Sequence, residues 1–108
     1  MRKEIEKVLE VMKADYYKWC NRNGDEFTGP CIEYNNSLKV TEGTRYYKII
    51  SRGRSVMGFI VKEGHPKFKE GDLLKAASWK APARNFARGN VFDEKSFKTG
   101  SVRWTGIG

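Results

Sequence analysis

Tyr46-Tyr47-Lys48-Ile49-Ile50-Ser51-Arg52-Gly53-Arg54-Ser55-Val56-Met57-Gly58-Phe59-Ile60-Val61-Lys62 is the stretch that decides the architecture. Tyr46 to Ser51 and Ser55 to Lys62 are rich in aromatic and β-branched residues, which suit a pleated surface. Arg52-Gly53-Arg54 between them holds the glycine that a tight hairpin turn requires. The pattern predicts an antiparallel hairpin. Ser55 to Val61 is also the longest stretch without a formal charge, at seven residues. A membrane span needs about twenty apolar residues, so none is expected.

Upstream of the hairpin the periodicity changes. Ile5, Val8, Leu9, Met12, Tyr16 and Trp19 recur at spacings of three and four, which gathers side chains on one stripe of an α-helix. Glu4 and Lys7, Glu10 and Lys13, and Asp15 and Lys18 place opposite charges three apart, and Asn23-Gly24 supplies a left-handed stop. A helix is predicted from about residue 2 to 22, with its stripe packed on the domain's own sheet. A helix-mediated dimer is the alternative. With Ile5, Met12 and Trp19 at the a positions of a heptad, Asp15 falls at d, and a charge there disfavours a coiled coil. A monomer is therefore favoured.

Between helix and hairpin, Cys31 to Tyr34 and Leu38 to Thr41 read as short strands around the turn residues Asn35-Asn36-Ser37. Downstream, Glu63 to Lys69 reads as a loop, Leu73 to Ala76 as a strand and Ser78 to Gly89 as an ordered loop without a period. Gly89 to Phe92 and Ser101 to Thr105 read as closing strands around the turn-rich Asp93 to Gly100. The expected fold class is α+β: one N-terminal amphipathic helix on a small, strongly curved, mostly antiparallel sheet that curls toward a small barrel. All 108 residues form one domain in this reading, with the helical part in 1–24 and the β-rich part in 31–108.

Hydrophobic residues at 39% and aromatic residues at 13% are too many for disorder, although 31% of the chain is charged. The formal net charge is +8. Residues 1–30 carry six basic and six acidic side chains, so the whole excess belongs to residues 31–108. Such a surplus suits an anionic partner. Acids interrupt the start of the chain and no apolar segment follows, so no signal peptide is expected and the location is read as cytoplasmic. In that compartment Cys20 and Cys31 are expected as thiols.

Enzyme chemistry finds little support. Two cysteines and one histidine fall short of a four-ligand structural zinc site, so no metal is expected. His65 is the one histidine available as a base, and it lies in a Gly-His-Pro loop where a solvated imidazole is the ordinary expectation. No glycine-rich phosphate loop occurs. The pairs Asp25-Glu26 and Asp93-Glu94 adjoin turn residues and read as caps or solvated charges. The chain is thus read as a non-enzyme without a cofactor.

One segment stands apart. Between Asp72 and Asp93 lie Lys75, Lys80, Arg84 and Arg88 and no acid, interleaved with Trp79, Asn85 and Phe86. Cations that neutralise phosphate beside rings that stack on bases are what a single-stranded nucleic-acid surface needs. Lys75, Trp79, Lys80, Arg84, Phe86 and Arg88 are the candidate binding residues. The competing reading makes Trp79 and Phe86 core anchors of a solvated basic loop.

Gly71 to Phe92, preceded by Tyr46-Tyr47-Lys48-Ile49-Ile50 and followed by Arg103-Trp104-Thr105-Gly106, resembles small uncharacterised proteins of bacteriophages and other large DNA viruses. The likeness runs over about residues 44–108, and Ser78-Trp79-Lys80-Ala81-Pro82-Ala83-Arg84 is its most distinctive part. The helix and the residues up to Thr44 look like an addition to it. The resemblance implies a viral origin, with the host cytoplasm as location, and implies that the loop is a unit; it assigns no activity. The expectation is a small phage-type accessory binding protein that engages nucleic acid, with single strands favoured. The alternative partner is an acidic host protein, bound by an inhibitor or adaptor. A small nucleotide-binding protein or enzyme ranks behind both.

Overall fold

Ile5, Val8, Leu9, Met12 and Tyr16 are all buried along one side of helix α1 (Arg2–Arg22), while Glu6, Lys7, Glu10 and Tyr17 stay exposed. The computed structural model describes residues 2–22, 37–51, 53, 55–98, 102–103 and 106–108. Glu4 lies in the first turn, where a negative charge meets the positive end of the helix dipole. Each fully buried side chain of this stripe contributes about 1.5–3 kcal/mol through removal from water. No helix among the described residues is long and apolar enough to cross a membrane.

The predicted hairpin forms from β2 (Tyr46–Ser51) and β3 (Ser55–Val61), and Gly53 between them has φ of 65°, a left-handed conformation that favours glycine. With β1 (Lys39–Glu42), β4 (Asp72–Leu74) and β5 (Gly89–Asn90) these strands make a five-stranded sheet in the order β1-β2-β3-β4-β5. Every neighbouring pair is antiparallel. No pairing between β1 and β5 closes it among the described residues. The architecture is α+β: one long helix with an antiparallel sheet.

A bulge settles which side chains face the helix. Ile49 pairs with Gly58 but Ile50 pairs with Val56, so Met57 has no partner across the ladder. The extra residue turns Met57 toward the helix side with Ile60 and shifts Val56 to the opposite face with Phe59 and Val61. Gly58 must be small: a Cβ there would lie 2.6 Å from Ile107 Cδ1.

Two elements depart from expectation. Asp93 to Gly100, expected as turns, contains a short helix α2 (Glu94–Lys98), whose Phe97 is fully buried against α1 and the sheet. Asn90 N–H donates to Ser96 Oγ at 2.8 Å and ties α2 to β5. The expected single strand from Ser101 to Thr105 is instead a separate two-stranded ribbon, β6 (Val102–Arg103) with β7 (Gly106–Ile107). Val102 and Ile107 enter the core beneath α1, so the ribbon closes the end of the helix-side core and does not extend the main sheet. Cys31 to Tyr34 and the side chains of Trp19 and Cys20 lie outside what is described, and the readings of the thiols and of that strand with them.

Candidate nucleic-acid interface

The face of the sheet turned away from α1 carries Phe59, Val61 and Leu74, buried beneath Tyr46, Val56, Phe68, Ala76 and Ala87. Most of that cover comes from the connections after β3 and β4. The segment between β4 and β5 doubles back on itself: Ala83 N–H donates to Lys75 O at 2.7 Å, Arg88 N–H to Leu73 O at 2.7 Å, and Ala76 bridges to Pro82. Ala77 and Ser78 N–H both donate to Ala81 O at 3.0 Å, which puts Trp79 and Lys80 at the tip of a turn. Alanines at positions 76 and 87 let this backbone approach the sheet closely. What remains for its larger side chains is the rim.

Trp79 is 46% exposed and Phe86 58%. Neither is a core anchor. The Lys48 ammonium, projecting from β2, sits 4.6 Å from the Trp79 ring centroid and 5.9 Å from that of Phe59. Arg88 acts inside the loop, where its Nη1 donates to Asn85 Oδ1 and to Phe86 O, each at 2.8 Å, and its guanidinium lies 3.9 Å from the Phe86 centroid. It therefore braces the Asn85–Arg88 turn. Arg84 has an exposed side chain, and its carbonyl accepts a hydrogen bond from Lys67 Nζ. Lys75 is exposed at the start of the loop and makes no hydrogen bond or ion pair through its side chain among the described residues.

Several groups at this site carry no signal in the local sequence. Phe59, Tyr46, His65 and Phe68 form a ladder of rings with successive centroids 5.7, 5.5 and 5.5 Å apart. His65 Nδ1 accepts from Lys67 N–H at 3.1 Å and Phe68 N–H at 3.2 Å, so the ring proton belongs on Nε2, which donates to Tyr46 Oη at 2.9 Å. Desolvation holds the imidazole below the ordinary histidine range, and the charges of Arg45, Arg84 and Lys67 act in the same direction. His65 is thus a fixed structural imidazole inside a positive field. Arg45, Lys48 and Lys67 come from three different segments, and the signal that finds Lys48 is period two. It shares a strand face with Tyr46 and lies opposite Phe59.

Among the described residues no three His, Cys, Asp or Glu side chains gather as a metal site would require. The acid Glu42, opposite Tyr47 in the strand register, is held by Lys62 Nζ at 2.7 Å. The arrangement can bind polyanions and stack planar groups.

A family model described as a family of unknown function, DUF7717, matches residues 1–107. The chain belongs to this family. The DUF7717 match runs through α1 as well as the sheet, so the helix belongs to the unit that this family shares. No curated protein and no solved structure matches the chain.

Proposed function

We propose that this DUF7717 protein is a binding module that engages a single-stranded nucleic acid on the loop-covered face of its sheet. The observation that carries the reading is the convergence of five cations from separate segments. Arg45, Lys48 and Lys80 line one cleft, and Arg45, Lys67 and Arg84 act together on His65. Lys48 lies over the exposed ring of Trp79, and Lys67 over Phe68 of the aromatic ladder. Cations alone suit any anion; cations among exposed rings suit bases on a phosphate chain.

The likeness of residues 44–108 to phage and large-virus proteins supports a viral accessory role in the host cytoplasm. A monomer without catalytic activity, metal or cofactor completes the proposal. The bulge at Met57 favours a sheet that curls toward a barrel, since bulges bend and twist the strand that carries them. Docking on an acidic host protein is the second reading, supported by the net charge of +8.

The test is fluorescence anisotropy of a labelled twelve-residue oligothymidylate at several salt concentrations. Five phosphate contacts give log K against log salt a slope of about −3.5, at about 0.7 per contact on a single strand. No measurable affinity at low salt ends the reading. Polyglutamate bound as tightly as the oligonucleotide, with Trp79→Ala indifferent to both, establishes the acidic-protein reading in its place.

A further inference from the structure

Beside the Trp79 tip lies a cleft of about 310 Å³, at the small end of the range for small-molecule sites. We infer that this cleft seats the phosphate of one nucleotide unit among Arg45, Lys48 and Lys80, with the base of that unit laid on the Trp79 indole at the cleft's edge. The inference rests on the proposed strand-binding face and names the place on it where a single residue of the strand is gripped.

Three features support it. The first is uncompensated charge. Arg45, Lys48 and Lys80 all line the cleft, and none makes an ion pair or a side-chain hydrogen bond among the described residues. Glu42, the acid in the wall, is already engaged by Lys62, whose Nζ also donates to Gly43 O at 3.0 Å. Three like charges around one small volume repel each other, and an anion placed among them relieves that repulsion while gaining charge-assisted hydrogen bonds.

The second is the lining. Thr41 and Thr44 bring hydroxyls suited to phosphate or sugar oxygens, while Phe59 and Tyr46 supply apolar wall. An inorganic anion uses only half of such a site.

The third is the indole. Lys48 sits over Trp79 at 4.6 Å from its centroid, yet the residue remains 46% exposed, so ring surface is left for a base to stack. A base on the ring face away from the ammonium completes a layered arrangement of ammonium, indole and base.

The probes are thymidine 5′-monophosphate alone and the labelled twelve-residue oligothymidylate, with thymidine and inorganic phosphate as controls. Binding is read by anisotropy and by the ring resonances of His65, the chain's one histidine, which is bonded through Nε2 to Tyr46 in the cleft wall. The monophosphate is expected to shift those resonances, to compete with the oligonucleotide and to bind better than either control. Arg45→Ala and Lys80→Ala should each weaken both ligands by about tenfold or more, the loss of a hydrogen bond to a charged group. Arg84→Ala should weaken only the oligonucleotide. Circular dichroism verifies the fold of each variant. If the Arg45→Ala/Lys80→Ala double variant binds the oligonucleotide at full strength while Arg84→Ala does not, the cleft inference is overturned and the strand-binding face stands. If the monophosphate binds through Arg45 and Lys80 but no strand binds, the strand reading falls and the cleft stands as a site for a free nucleotide. If neither ligand binds, both are overturned.

Discussion

The two faces of strand β3 are covered in different ways. On one, Met57 and Ile60 join five buried residues of α1, with Phe97, Val102 and Ile107 filling the remaining space. On the other, Phe59 and Val61 lie with Leu74 under partly buried rings and two alanines. A helix repeats its stripe every turn and seals a sheet face along its length. A loop held close by alanines covers only the centre, so its long side chains are left at the rim. There the cations lie over aromatic rings: Lys48 on Trp79, Lys67 on Phe68 and Arg88 on Phe86. Apolar burial is concentrated on the first face, and exposed cations and rings on the second.

The hardest blow to that contrast is Met12→Ala. Met12 is fully buried mid-stripe, and truncation there should cost about 2–5 kcal/mol. A thermal melt should show the midpoint falling by about 8 °C or more. An unchanged midpoint would mean that α1 does not seal the sheet. Gly58→Ala tests the same face by overfilling it. With its Cβ 2.6 Å from Ile107 Cδ1, 2.9 Å from Cγ1 and 3.0 Å from Cβ, the variant should lose about 1–3 kcal/mol in denaturant unfolding.

Trp79→Ala should divide the two properties. Stability should fall by no more than about 1 kcal/mol, the scale of an exposed cation–π contact. Oligonucleotide affinity should fall by about 1–3 kcal/mol at every salt concentration, the stacking contribution of one base. A large loss of stability with normal binding would reverse the assignment of the two faces.

A smaller effect follows from His65. Its folded-state pKa lies below the ordinary 6.5, so the unfolded chain takes up the proton first as pH falls. The contribution of the neutral ring is fully present above about pH 6.5, declines below it and is gone once pH has fallen through the folded pKa. Chemical denaturation across this window should show a loss in the native chain that His65→Asn lacks; parallel curves would exclude the imidazole as the source. The smallest effect belongs to the exposed pair of Lys7 and Glu94, 2.7 Å apart between α1 and α2. Glu94 raises the pKa of Lys7 through their hydrogen bond and charge attraction, but water screens both groups. Lys7→Ala should leave the melting midpoint where it is.

Local pattern alone accounts for α1 and for the β2–β3 hairpin. A stripe of period three to four and paired runs around Gly53 are statements about neighbours in the chain, and sequence records those directly. The loop from Lys75 to Arg88 was legible for the same reason: its cations and rings are contiguous and no acid interrupts them. Helix α2 was not. Its five residues hold a single apolar side chain, Phe97, too few to show a period, and their helical state goes with the burial of that ring beneath α1. The β6–β7 ribbon likewise depends on Val102 and Ile107 reaching a core built by distant segments. At the candidate site, sequence determined that Trp79, Lys80 and Arg84 stand near one another. Tertiary structure decided that Arg45, Lys48 and Lys67 join them while Arg88 turns inward to brace Phe86. Strand pairing and loop closure bring together groups whose separation along the chain says nothing of their distance in space. The field they create is a property of those distances.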